Sequence, residues 1–127
     1  MRLLLDTHAL VWWMLSPHLL SPRACEAIEN GASEVYVSAV SAIEIATKVR
    51  LGKFEDARAL ATRFAQQISA EGFDLLSITA DHGERAGNYL SLHGDPWDRL
   101  LVAQAEIERL TLVSCDGKLN GAAQILW

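Results

Sequence analysis

The stretch LLLDTHA, residues 3–9, carries three leucines straight into an acid. The run reads as a buried strand, yet it stops at Asp6, with a hydroxyl at Thr7 and an imidazole at His8 behind it. The pattern returns late in the chain as LTLVSCD, residues 110–116, where the apolar run leads through Ser114 and Cys115 to Asp116. Two strand-like runs therefore end on acids.

Outward from these two stretches, short runs rich in Leu, Val or Ile occur at 2–5, 34–38, 74–78, 110–114 and 124–127, each of strand length. Longer segments with helical periodicity lie between them, at 7–15, 22–30, 39–51, 56–71, 80–90 and 96–109. Ser21 before Pro22 is a plausible helix start, and Gly31, Gly52 and Gly72 stand near helix ends. Strands alternating with helices predict an α/β domain with a mostly parallel sheet, and nothing divides residues 1–127 into two domains. In such a sheet, functional groups collect just beyond the carboxyl ends of the strands, which is where Asp6 and Asp116 fall.

Composition agrees with a compact fold: 50% of residues are hydrophobic and 21% charged, which excludes a chain dominated by disorder. Sixteen acids against 11 Lys and Arg leave a formal charge of −5, so a polyanion must be held by a local basic patch or by bound cations. Cys25 and Cys115 are the two cysteines, with no CxxC spacing, which argues against a disulfide framework or a zinc site. The leucines at the start do not make a signal peptide, because Asp6 and His8 interrupt them and no clean cleavage pattern follows. No stretch approaches the roughly 20 apolar residues of a membrane span. The expectation is a soluble, cytoplasmic protein.

Each acid has an ordinary structural reading beside the functional one. Asp6 can cap the helix that follows it. Glu44 fits a capping box in Ser41-Ala42-Ile43-Glu44, although a glutamate between two isoleucines lies near a buried face, where a lone charge is costly. In GDPWDRLLVAQAEIE, residues 94–108, Asp95 reads as N-cap, Pro96 as first helical residue and Asp98 as third, at the inner end of a core helix. Asp116 can open a turn before Gly117. Four carboxylates converging on one sheet edge would repel one another without a counterion. An all-oxygen set of this kind suits Mg²⁺, with Mn²⁺ as a substitute, and such ions also bind phosphates. A phosphodiester is then the natural substrate, because metals activate water and neutralise the leaving oxygen.

The order Asp6, then Ser41-Ala42-Ile43-Glu44, then DPWDRLLVAQA, then SCD ending on Asp116, resembles a PIN domain. More narrowly, LLLDTHALVWW, VSAVSAIEIATKVRLGK and HGDPWDRLLVAQA resemble the VapC-type toxins of type II toxin–antitoxin pairs, and the likeness runs through the closing ILW. The resemblance implies a three-layer α/β/α sandwich and a Mg²⁺-dependent ribonuclease, with Asp6, Glu44, Asp98 and Asp116 as catalytic and metal-binding acids. It also implies an RNA substrate, a cognate antitoxin protein and a homodimer. Thr7 falls where the family often has a hydroxyl beside the first acid and takes a supporting role. Asp95 and Asp98 both lie in the third motif; Asp98 is favoured by the DRLLVAQA that follows, with Asp95 as cap or supporting acid. Gly94 replaces a basic residue common in relatives, Trp97 a usual Phe, and Ser114 a common Thr.

Among other groups, Arg99 beside Asp98 is the expected phosphate contact, and Trp97 is placed to stack an unpaired base. Lys48, Arg50 and Lys53 read as solvated residues near a helix end, and Trp12, Trp13 and Trp127 as core or interface anchors. His8, His82 and His93 are left outside the chemistry, since a metal-activated water needs no histidine base. Two other classes compete: an α/β phosphoacceptor domain, which lacks the adjacent acid pair after the first strand, and an interaction module without nuclease activity, which the presence of all four acids disfavours.

Overall fold

The structure, a computed structural model, describes residues 1–92, 94–119 and 123–127. His93 therefore lies outside the described residues. Among those described, the strands are β1 (Arg2–Leu5), β2 (Glu34–Ser38), β3 (Asp74–Leu76), β4 (Thr111–Val113) and β5 (Ile125–Leu126). They form one sheet in the order β3-β2-β1-β4-β5, and every pairing is parallel. The leucine run that opens the chain is thus its central strand. Leu3, Leu4 and Leu5 are all fully buried, as a strand covered on both faces requires.

Successive residues of β1 point to opposite faces, so they enter different cores. Leu3 and Leu5 join Val35, Val37 and Val113 under the helices α1 (Thr7–Leu15), α2 (Pro22–Glu29), α4 (Arg58–Thr62) and α5 (Phe64–Ala70), with Ile45 of α3 (Ala39–Arg50) closing the cluster. Leu4 and Leu112 face the other way, against Leu101, Val102 and Ala105 of α7 (Pro96–Glu108), which packs on α6 (Ala80–Asn88). Two apolar cores, one on each face of the sheet, make a three-layer α/β/α sandwich. Each fully buried leucine contributes about 1.5–3 kcal/mol of hydrophobic stabilisation, so the sheet's centre is its most stable part.

Register places the functional edge. Leu5 is level with Val37 of β2 and with Val113 of β4, and the Asp6 N–H extends that ladder by donating to the Val113 carbonyl at 3.1 Å. The chain leaves β1 toward β2 and β3, then returns to the other side of β1 as β4. The strand order reverses between β1 and β4, and the crevice beyond their carboxyl ends is where open α/β sheets bind ligands.

Two expectations change. The helical run read over 56–71 is a 3-10 turn (Glu55–Ala57) followed by α4 and α5, broken at Arg63 with φ −134° and ψ 40°. Thr62 Oγ1 donates back to the Arg58 carbonyl at 3.1 Å, a bond that bends helices. Glu44 is not in a capping box, because α3 starts earlier: Ser38 is its N-cap, accepting from the Val40 N–H at 3.0 Å. Gly52 and Gly72 follow helix ends with φ of 77° and 78°, conformations that glycine adopts without strain.

Candidate active site

Asp6 follows the last residue of β1 and caps α1, its Oδ1 accepting the Ala9 N–H at 2.7 Å. The cap reading and the functional reading therefore coexist, since the bond engages one carboxylate oxygen. Asp6 is only 7% exposed. Burial raises its carboxyl above the ordinary aspartate value, and the field of Glu44 pushes the same way. A hydrogen bond from Ser114, the Ala9 N–H and the field of His8 act in the opposite direction. Two buried acids thus stand within each other's field at the sheet edge.

Glu44 lies one turn and a half into α3 and is 9% exposed. It is neighboured on its own helix by Ser41, which is fully buried and meets Thr7 Oγ1 at 3.0 Å. That bond ties α1, which begins beside Asp6, to α3, which carries Glu44. Lys48 lies one turn further on and sets its Nζ 2.8 Å from Glu44 Oε2. The expectation of a solvated Lys48 is corrected by this ion pair, while Arg50 and Lys53 are exposed.

Beyond β4, the Ser114 hydroxyl is buried near the first and last acids of the sequence: it favours the charged form of Asp6 and accepts the Asp116 N–H at 3.1 Å. Asp116 opens a turn, with Oδ1 accepting the Lys118 N–H at 3.0 Å. Desolvation of the Cys115 thiol raises its pKa, and the negative fields of Asp6 and Asp116 add to the rise. Asp6 and Asp116 therefore act on a common point. Asp95 carries the cap of α7, accepting the N–H of Trp97 at 2.9 Å and of Asp98 at 3.4 Å. Asp98 sits half-buried in the first turn of α7.

Among the described residues, no three His, Cys, Asp or Glu side chains are gathered as a finished metal cage. What is present is the chemistry of a hard-cation site: carboxylate oxygens, two of them on buried acids that repel, with an ammonium already drawn to one of the pair. Asp6 and Glu44 fit a divalent ion on that observation.

The residues expected on the substrate are otherwise engaged. Arg99 donates through Nε to the Ala86 carbonyl at 2.9 Å, through Nη1 to Leu92 at 2.8 Å and through Nη2 to Tyr89 at 2.6 Å. Its guanidinium fastens the end of α6 and the segment after it to α7. Trp97 is half-buried and packs against the Leu4 core. Thr7 is 3% exposed, and its hydroxyl faces Ser41. Three groups escaped sequence reading: Ser41 as the partner of Thr7, Ser114 as the link between Asp6 and Asp116, and Lys48 as the partner of Glu44. The last carried a signal, since Glu followed by Lys four residues on is a favourable helical pair.

With this geometry in hand, comparison with known proteins is specific. The PIN domain family model matches residues 3–124. Ribonuclease VapC22 of Mycobacterium tuberculosis is 35% identical over 118 residues, covering 92% of this chain and 88% of that protein. Among solved structures, VapBC2 from Rickettsia felis bound to a DNA fragment from their promoter aligns with a TM-score of 0.69 at 16% identity, over 99% of this chain and 98% of the other. FitAcB from Neisseria gonorrhoeae gives 0.65 at 21%, over 98% and 96%. At such identities the two structures speak to the fold.

Proposed function

We propose, from the premise that this chain belongs to the PIN-domain family, that it is a divalent-metal-dependent endoribonuclease, the toxin of a toxin–antitoxin pair. The observation that carries the reading is the 35% identity to a protein named as a ribonuclease, spread over 92% of the chain rather than confined to a motif. The acids of the sheet edge supply the chemistry. On this reading, residues 1–127 are one nuclease domain in which Asp6, Glu44, Asp98 and Asp116 hold the ion, with Mg²⁺ the expected metal and Mn²⁺ a substitute.

When bound, the ion supplies positive charge against the phosphodiester and makes a coordinated water more acidic. The rest falls to the chain's own residues. Asp6 and Glu44 concentrate negative charge in a dry place, so that a cation is favoured there over bulk water. Ser114 orients the Asp6 carboxylate and ties it to the Asp116 backbone, and the Thr7–Ser41 bond fixes the spacing of α1 and α3. Asp95 starts α7 and so sets the position of Asp98.

A toxin of this kind needs silencing, and the structural relatives include a complex of VapBC2 and one described as a toxin–antitoxin complex from Klebsiella pneumoniae. A cognate antitoxin is accordingly the protein partner of this reading. Among the described residues, no helix is long and apolar enough to cross a membrane.

The test is incubation of the purified protein with a mixed pool of structured RNA in Mg²⁺, in Mn²⁺ and in EDTA. Cuts at discrete positions in either metal, and none in EDTA, are expected. Cutting that persists undiminished in EDTA would remove the metal from the account, and intact RNA under all three conditions would remove the ribonuclease.

A further inference from the structure

The Glu44–Lys48 pair is more than a helical surface bridge. Ordinary Glu–Lys pairs four residues apart are solvated and worth little, but here only 11% of the Glu44 side chain and 29% of the Lys48 side chain are exposed. The ammonium is held at both ends of its reach: Nζ lies 2.8 Å from Glu44 Oε2 and 5.0 Å from the centre of the Phe54 ring. Phe54 in turn meets His8 edge-on, with ring centres 6.2 Å apart, two residues from Asp6. The lysine is thus seated beside Glu44 by an aromatic face as well as by charge.

We propose that Lys48 is the site's resident counter-ion, which occupies Glu44 in the metal-free protein and must be displaced from it when a divalent ion binds. The proposal rests on the reading of Asp6 and Glu44 as metal ligands. A buried acid with a second acid in its field needs a cation, and Lys48 Nζ is the ammonium that the structure sets on Glu44. An ion arriving at Glu44 meets an oxygen already paired and a positive charge already present, so Lys48 weakens metal binding in the absence of RNA. Once released, the ammonium keeps its seat on Phe54 and is positioned to meet a phosphate oxygen. The site then binds ion and phosphodiester together more readily than the ion alone. Lys48 is on this view a positioning residue whose charge couples metal loading to substrate.

The experiment is Mn²⁺ titration of RNA-free protein by calorimetry, for the wild type, Lys48→Gln, Lys48→Met and, as an exposed control five residues further along the chain, Lys53→Gln. Circular dichroism checks that each variant is folded. Gln keeps a donor for Glu44 without the charge, and so separates electrostatic competition from simple orientation of the carboxylate. Both Lys48 variants are expected to bind Mn²⁺ about tenfold more tightly than wild type, the direction set by removing a positive charge from the side of an incoming cation, with Lys53→Gln unchanged. Lys48→Gln is the variant that decides if the methionine fails to fold. Weaker or unchanged Mn²⁺ binding in Lys48→Gln, with wild type binding normally, overturns the counter-ion role and leaves the metal reading intact. Absence of Mn²⁺ binding in the wild type and in both Lys48 variants overturns both, whereas binding that appears only when Lys48 is replaced supports the counter-ion role.

Discussion

Replacing Thr7 with valine keeps the branched shape and much the same helix propensity, but removes the hydroxyl that meets Ser41 Oγ at 3.0 Å. Thr7 is 3% and Ser41 0% exposed, so water cannot take the missing partner's place. A typical hydrogen bond contributes about 1 kcal/mol net, and stranding a buried partner raises the loss to about 1–3 kcal/mol. Thr7→Val is therefore expected to cost about 2 kcal/mol, and Ser41→Ala, which strands the threonine hydroxyl, a similar amount. The double variant strands neither group and should cost only about 1 kcal/mol, about 3 kcal/mol less than the sum of the singles, the signature of two side chains in direct contact. Urea denaturation followed by circular dichroism reads this directly. With a slope of about 2 kcal/mol per molar urea, each single change lowers the midpoint by about 1 M. Cleavage should fall even under conditions where the variant remains fully folded, because the bond joins the helix beside Asp6 to the helix of Glu44. A Thr7→Val midpoint within about 0.2 M of wild type, or a strictly additive cycle, would refute the role given to this bond.

Other perturbations test different parts of the site. Burial first, and the Glu44 field with it, raise the Asp6 carboxyl above its ordinary value of 3.8. A raised acid contributes stability below its unfolded value and loses it as pH rises through the folded one. Asp6→Asn, which keeps a capping oxygen for Ala9, should therefore melt higher than wild type in EDTA at pH 7, with the gap closing toward pH 4; a variant that melts lower at both pH values contradicts the buried-charge account. Arg99→Lys replaces a fork that reaches the Ala86, Leu92 and Tyr89 carbonyls with a single ammonium. It should lose about 2 kcal/mol of stability, with hydrogen exchange quickening in the segment between α6 and α7; weakened RNA affinity at unchanged stability would return Arg99 to the phosphate.

The fold was legible because its decisive strand is written without ambiguity. Leu3, Leu4 and Leu5 leave no polar face, so β1 had to lie inside the sheet, and Asp6 marked its carboxyl edge. The break at Arg63 was not legible, since Leu60, Phe64 and Ile68 keep helical spacing across it and all three reach the core. Asp95 and Pro96 announced the start of α7 through local cap chemistry. The end of β2 at Ser38 and the start of α3 at Ala39 were legible from the spacing, but the choice of cap was not: Ser38 and Ser41 are both competent caps, and Ser38 takes the role while Ser41 turns to Thr7. Arg99 shows the limit for single side chains: beside an acid in a nuclease-like motif it reads as a phosphate ligand, while the carbonyls that claim it come from residues 86–92 and are brought to it only by folding. Ser114 is the converse case, an unassuming hydroxyl made important by lying between Asp6 and Asp116.

The most direct measurement is single-turnover cleavage of one RNA, chosen for a discrete metal-dependent cut, by wild type and by Asp6→Asn in saturating Mg²⁺, with folding of both verified by circular dichroism. If the carboxylates of the sheet edge hold the ion, the folded variant loses about 100-fold or more in rate, the scale of removing one preorganised electrostatic group. A folded Asp6→Asn protein that cleaves within about twofold of wild type, a barrier change of less than half a kcal/mol, would contradict the account and place the chemistry elsewhere in the molecule.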